Sequence, residues 1–285
     1  MVKEKLSVNI ALSRRKGKPP KQMGIFRFEM KQYKGSVIAW SIGISAAILA
    51  LLSVSAAFTE DPSSIALLEG NAFLEAMGVN PDTFFTGMGI YGVYGSFALL
   101  AGAIQAINLG LSIITKEHMQ NTADFLMTKP YTRKRVYLSK LAAACCCLLI
   151  TAICYFAASL WAVRAIPGQS FSFTIFFQLY LLFPLLQLFF LLLGMAIGVL
   201  LSRIGSTLPL ALGISFGFYL IGMYSSVVQS QVARLFSPFK YFNVNIIQAS
   251  GGYETGYLIL YLALLTTFLI SGYTIFVRKD MKMVL

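Results

Sequence analysis

The stretch Phe173-Thr-Ile-Phe-Phe-Gln-Leu-Tyr-Leu-Leu-Phe-Pro-Leu-Leu-Gln-Leu-Phe-Phe-Leu-Leu-Leu-Gly-Met-Ala-Ile-Gly-Val-Leu-Leu201 contains no Asp, Glu, Lys or Arg. The hydrocarbon core of a bilayer is about 30 Å thick, and a helix rising about 1.5 Å per residue crosses it in about 20 apolar residues. The run exceeds that length. Its apolar residues also occupy every face of a helix instead of one stripe, which is the pattern of a segment surrounded by lipid and other helices. Five more segments meet the same requirement without a charged residue, at 36–58, 87–114, 141–163, 206–228 and 256–277. The reading is an all-α polytopic membrane protein with six transmembrane helices.

The composition agrees. Of 285 residues, 57% are hydrophobic and only 12% charged, with a mean hydropathy of +0.73, and such a chain is too apolar for a soluble domain. A net charge of +12 would point to nucleic acid if the basic residues shared one polar face, but here they lie between apolar runs. Residues 1–35 carry ten Lys and Arg, 116–140 carry six, Arg203 stands in a tight turn and three follow residue 277, so 20 of the 23 fall on one side. The segment 59–86 has no basic residue and five acids, Glu60, Asp61, Glu69, Glu75 and Asp82, while Arg164, Arg234 and Lys240 complete that second side. Cytoplasmic loops are the ones rich in Lys and Arg, which predicts that both termini are cytoplasmic.

Before the first run, Met23, Phe26, Met30 and Tyr33 recur at three- and four-residue intervals, with Arg27, Lys31 and Lys34 turned elsewhere. That spacing predicts an amphipathic helix over 23–35 lying along the membrane interface. Residues 1–22, with Arg14, Arg15, Lys16, Lys18, Pro19 and Pro20, read as a flexible basic arm beside anionic lipid, and 278–285 as a cytoplasmic tail. The basic segment ahead of the first run is too long and too charged for a cleaved signal peptide and is expected to stay attached. Between 59 and 86, helix-prone pieces broken by Gly70 and Gly78 are too short to bury a core of their own.

Energy sources leave marks that are not found here. A phosphate-cradling loop needs G-x-x-x-x-G-K-[ST], whereas the one Gly-Lys pair, Gly17-Lys18, is followed by Pro19 and has no Gly five positions earlier. Proton- and ion-coupled carriers hold ionisable groups at depth, and the six runs offer only neutral polar groups such as Gln105, Asn108, Gln178 and Gln187. The sole histidine, His118, falls at a run end, so no catalytic site is read. Cys145, Cys146, Cys147 and Cys154 have no His or carboxylate at ligand spacing. Successive helical positions point about 100° apart, so these cysteines read as small hydrophobes and no metal site is expected.

The connection 116–140 is the most informative polar segment. Met119, Ala123, Leu126 and Met127 follow helical spacing, Thr122 and Asp124 suit the polar face, and Pro130 ends the helix, which predicts a short helix over about 118–128 parallel to the membrane. Glu117, Thr122, Asp124, Phe125, Leu126, Pro130, Arg133 and Lys140 stand where ABC-2 type transporter permeases carry the acids, Thr, apolar pair, Pro, Arg and Lys of their coupling helix, and the segment resembles that element. It departs in Asn121 for the usual Gly, Asp124 for the commoner Glu and Thr132 for the commoner Ser. Ser237-Pro-Phe-Lys-Tyr-Phe242 is similar to the Ser-Pro-Phe element that the family carries between its last two spans.

The resemblance implies a bacterial plasma-membrane permease of the kind that exports peptides, toxins or antimicrobials. It implies a partner ATPase that holds ATP and Mg, no cofactor in this chain, and a second permease subunit, identical or paralogous. Glu117, Met119, Thr122, Asp124, Phe125, Leu126, Pro130 and Arg133 are the expected coupling residues. Small-xxx-small pairs let helices approach closely in lipid, and two occur, Gly194/Gly198 and Gly213/Gly217. The family places its dimer contact on the first and fifth spans, which makes Gly213 and Gly217 interface candidates. Phe216, Phe218, Tyr219, Met223 and Tyr224 are candidates for the translocation path, with ordinary core or lipid contact as the alternative. An uncharged, aromatic path suits an amphipathic or lipophilic substrate, a peptide toxin or antimicrobial peptide first, with sodium or drug extrusion also known among relatives. The rival reading is an ATP-independent channel or structural membrane protein.

Overall fold

The computed structural model describes residues 23–58, 87–119, 132–165, 172–201 and 205–278. Every element among them is helical: α1 (Met23–Phe58), α2 (Gly87–Met119), α3 (Arg133–Arg164), α4 (Phe173–Leu200), α5 (Thr207–Val227), α6 (Gln231–Phe236), a 3₁₀ turn (Pro238–Lys240), α7 (Val244–Ser250) and α8 (Thr255–Arg278). Six of these, α1 to α5 and α8, are long and apolar enough to cross a membrane. Met23, Met119, Arg133 and Arg278 mark one end of the bundle, hereafter the terminal face, and α6, the 3₁₀ turn and α7 cap the far face.

The centre is the pair α2 and α4. Lipid tails are as apolar as leucine, so helices associate in a bilayer through close packing rather than through burial from water. Glycines supply that closeness. A Cβ on Gly194 would stand 2.6 Å from the Ile107 carbonyl oxygen, one on Gly102 2.7 Å from the Phe183 ring, and one on Gly110 would run into the Leu191 carbonyl. Accordingly 67% of the α2 span and 72% of the α4 span are buried, against 22% for α5 and 11% for α8. α1 lies along α3, α5 leans on α2, and α8 packs on α4, where the Tyr261 hydroxyl donates to the Leu185 carbonyl at 2.9 Å.

A buried hydrogen-bond chain ties four spans together at depth. Ser41 of α1 donates to the Thr151 hydroxyl of α3 at 3.2 Å, the Gln105 amide of α2 donates to the same oxygen at 2.8 Å, and the Gln187 amide of α4 donates to Gln105 Oε1 at 3.0 Å. In hydrocarbon each polar group must find a partner inside the protein. The neutral polar residues of the runs therefore act as interhelical ties.

Two expectations need correction. Residues 23–35 do not form a separate interfacial helix, because α1 is continuous through residues 35 and 36. Phe26, Met30 and Tyr33 pack against the core of the bundle, and the Met30 sulfur lies 3.6 Å from Cys147 on α3. The amphipathic stripe thus meets protein, and this stretch is continuous with the first span in one helix. The side chain of Met23 lies outside the described residues, as do residues 1–22 and 59–86. The second correction is that ionisable groups are buried among the span helices. Charge-free windows stop at the first charged residue, whereas α1, α2 and α3 continue past it and enclose Glu29, Lys116 and Lys140.

Candidate functional site

At the terminal face three helices present charged side chains to one another. Glu29 sits two turns into α1, Lys116 and Glu117 in the last turn of α2, and Lys140 two turns into α3. Glu29 is 2% exposed, Lys116 7% and Lys140 1%, so all three are removed from water. A buried charge without a partner is costly, and here the partners are complete. The Lys116 ammonium pairs with Glu29 and donates to Gln32 Oε1 at 2.6 Å. The Lys140 ammonium pairs with Glu117, lies 3.2 Å from Glu29 Oε1 and donates to the Ile113 carbonyl at 2.5 Å. Two carboxylates and two ammonium groups cancel. The rings of Phe28 and Tyr33 stand 5.4 and 5.2 Å from Lys116 Nζ, adding cation–π attraction, and the Tyr33 and Ser112 hydroxyls share a hydrogen bond of 3.1 Å.

This quartet has a mechanical consequence. α2 ends at Met119 and α3 begins at Arg133, so Glu117 and Lys140 belong to the two stems of the connection 120–131. Their ion pair fastens one stem to the other, and Glu29 fastens both to α1. Fixed charges at close quarters in a low dielectric resist separation far more than surface pairs do. The two stems and α1 are thereby joined.

Of the expected coupling residues, Glu117 is a member of the quartet, Arg133 opens α3 half-buried, and Met119 ends α2. Thr122, Asp124, Phe125, Leu126 and Pro130 lie outside the described residues. Glu29 and Lys116 are functional candidates that hydropathy and motif spacing do not single out. A signal for Glu29 exists all the same: it falls three residues after Phe26 and four before Tyr33, an acid on the apolar face of an otherwise basic segment.

The other expected residues divide. Among the described residues, Gly213 and Gly217 have no atom within 4 Å of where a Cβ would stand, so that face of α5 is open to them. Phe218 and Tyr219 turn inward instead, onto Phe190 at 5.9 Å and Phe239 at 5.4 Å between ring centres. Of the remaining aromatics, Phe216 and Tyr224 are exposed on the helix surface.

On the far face the Ser-Pro-Phe turn folds back onto α5. Ser237 is fully buried and its hydroxyl donates to the Phe218 carbonyl at 2.8 Å, against Gly222, where a Cβ would stand 2.6 Å from the Ser237 oxygen. Arg234 braces the turn: its Nε donates to the Lys240 carbonyl at 2.9 Å, its guanidinium pairs with Glu254, and it lies 3.9 Å from the Tyr257 ring centre. Gly251 then ends α7 with φ of 66°, a left-handed conformation suited to glycine, and the chain turns into α8.

Six spans, stems joined by a Glu–Lys pair and a Ser-Pro-Phe turn seated on the fifth span occur together in this chain. Residues 23–281 match the family described as ABC-2 family transporter protein. The chain belongs to the ABC-2 transporter family. No curated protein matches it. As an ABC-2 protein it is the membrane-spanning permease subunit of an ABC transporter, and the ATPase is the partner that family membership implies. The match begins at the first residue of α1 and runs past the end of α8, so it spans the quartet, the stems and the far-face turn together.

Proposed function

We propose that this permease exports an amphipathic or lipophilic substrate from the bacterial cell, a peptide toxin or antimicrobial peptide first, by alternating access driven by a separate ATPase on the terminal face. The terminal face is then cytoplasmic, in keeping with the 20 basic residues on that side. ATP and Mg belong to the partner. The observation that supports this reading most directly is the quartet, because it joins both stems of the connection to the first span. ATP-driven closure of the ATPase dimer moves the connection, with Thr122, Asp124, Phe125 and Leu126 in the docking surface. The stems carry that displacement into α1, α2 and α3 as one body, and two permease subunits meeting along α5 at Gly213 and Gly217 change which side their path faces. A substrate is moved because the two states bind it differently.

The test separates docking from transmission. Asp124→Arg places a like charge against a partner that receives an acid, and is expected to abolish co-purification of the ATPase while the permease inserts normally. Glu29→Gln is expected to leave the ATPase bound and hydrolysing ATP while transport falls, since the stems stay joined through Glu117 and Lys140 but lose their ionic tie to α1, keeping only neutral ones such as Gln32. Transport by the purified permease in vesicles with no ATPase present would overturn the reading in favour of a channel.

A further inference from the structure

The short helix α6 reads Gln231-Val-Ala-Arg-Leu-Phe236, and its side chains divide by character. Both polar residues turn to the protein. The Gln231 side chain accepts from the Tyr257 hydroxyl of α8 at 3.1 Å, and Arg234 pairs with Glu254, donates to the Lys240 carbonyl and lies over the Tyr257 ring. Gln231 and Arg234 also line the far-face cavity of about 590 Å³ that the cap forms with Tyr219 and Phe239. Val232, Leu235 and Phe236 take no part in that wall. At spacings of three and four they share another face of the helix, and they are 66%, 48% and 63% exposed. A helix that faces water carries its charge outward and its apolar stripe inward. In α6 the order is reversed.

Depth agrees with that reversal. α5 has 21 residues, a rise of about 31 Å at about 1.5 Å each, against a hydrocarbon core of about 30 Å. Its far end therefore reaches only the edge of the hydrocarbon, and any tilt leaves it deeper. Gln229, with φ of 50° in the left-handed region, breaks the run, and α6 begins two residues later at the same level. α6 is also tied to the first turns of α8, the least buried span at 11%, where Ile259 and Leu262 are outward. Its apolar face thus continues a surface that lipid covers. Hydrocarbon requires backbone groups to be met inside the protein, and at the two ends of α6 Ser230 Oγ accepts from the Ala233 amide at 3.3 Å and the Leu235 carbonyl accepts from the Tyr241 hydroxyl at 2.8 Å.

We propose that α6 lies in the leaflet on the far face, with Val232, Leu235 and Phe236 inserted among lipid acyl chains and with Gln231 and Arg234 held on the protein. The partner is the hydrocarbon itself and not a headgroup, because the inserted face carries no charge. Interfacial helices sink an apolar face about 5–10 Å into the boundary between headgroups and acyl chains, and the cap is seated in the membrane instead of standing in water above it. The inference needs only that the spans cross a bilayer. Cargo and ATPase do not enter its test, so its failure leaves the proposed function standing.

The experiment places one tryptophan on that face. In the full chain carrying Trp40→Phe and Trp161→Phe, which removes both native tryptophans, Phe236→Trp is assembled into nanodiscs of phosphatidylcholine brominated on the upper acyl carbons, with aqueous iodide as the opposing quencher. The expected result is a blue-shifted emission that bromine quenches as strongly as it quenches Ile259→Trp on α8, and that iodide quenches far less than it quenches free tryptophan. Phosphatidylglycerol brominated at the same carbons is expected to give the same quenching, since no headgroup is bound. Val232→Trp and Leu235→Trp repeat the measurement from the same face, so a single variant that misfolds does not decide it. Iodide quenching comparable to that of free tryptophan would put the face in water and overturn the proposal. Quenching by neither agent would mean that residues 59–86 or a second subunit covers α6, and would overturn it too.

Discussion

Gly194 and Gly198 on α4 and Gly213 and Gly217 on α5 share one spacing, yet the first pair is sealed and the second is open. Gly194 lies against the Ile107 backbone and Gly198 against Ile114 and Leu111, whereas Gly213 and Gly217 meet no described residue within 4 Å of a Cβ position. The contrast marks two zones of the permease. α2 and α4 are closed on each other by glycine contacts, the hydrogen-bond chain and the buried quartet join α1 and α3 to them, and α5 and α8 lie against that block with the most outward surface of the six spans. The lesson is that a small-xxx-small pair states only that close approach is permitted; which helix accepts the invitation depends on the rest of the fold. A closed block suits transmission of a displacement, and an open face suits a second subunit.

The comparison can be broken experimentally, beginning where the closed block is most vulnerable. Lys140→Met strands the Glu117 carboxylate, leaves Glu29 with Lys116 alone, and is expected to destabilise the permease by about 3–5 kcal/mol, read as a lowered unfolding temperature in detergent or loss of monodisperse protein. Exchanging the charges in Glu117→Lys, Lys140→Glu keeps the pair and should recover part of that loss. An unchanged unfolding temperature for Lys140→Met would show that charge does not close the block. Next, Gly194→Leu forces α2 and α4 apart, for about 3 kcal/mol, while Gly213→Leu should change monomer stability by less than about 0.5 kcal/mol. Equal effects from these two substitutions would erase the distinction between the zones. Gly217→Leu sharpens it from the other side, because an open face used for association should lose dimer in cross-linking without losing its fold.

Smaller effects test the hydrogen bonds. Gln105→Leu removes the hub that links α2 to α3 and α4 and should cost about 1.5 kcal/mol, towards the upper end for interhelical bonds in lipid. Thr207→Val removes the bond of 2.8 Å that Thr207 donates to Asn108 between α5 and α2, and should cost about 0.6 kcal/mol. A Thr207 effect as large as that of Gln105 would mean that α5 belongs to the closed block after all.

Much of the architecture is legible in the order of the residues. Hydropathy places all six spans, and for the fourth, fifth and sixth the helices Phe173–Leu200, Thr207–Val227 and Thr255–Arg278 lie within one residue of the expected limits. Charge-free runs end there at true helix ends. At the terminal ends of α1, α2 and α3 the same rule misleads, because a Lys or Glu beside an apolar run looks alike whether it faces water or another helix. Glu117 is singled out by its family pattern as an expected coupling residue, but its ion pair with Lys140 is not legible, since 23 positions separate them along the chain. Tyr219 reads as a path residue from composition alone, and its place in the wall of the far-face cavity follows from the way the Ser-Pro-Phe turn folds back on α5.

By itself the sequence determined that this protein lives in a bilayer, how many times it crosses and where its basic segments gather, because transfer into hydrocarbon depends on each segment's own side chains. Only the tertiary structure decided which glycines are buttressed, which charges are buried together and that the stripe on residues 23–35 meets helices rather than lipid. Those outcomes depend on neighbours distant in the chain. A polar group's energy in a membrane is set by the partner that reaches it.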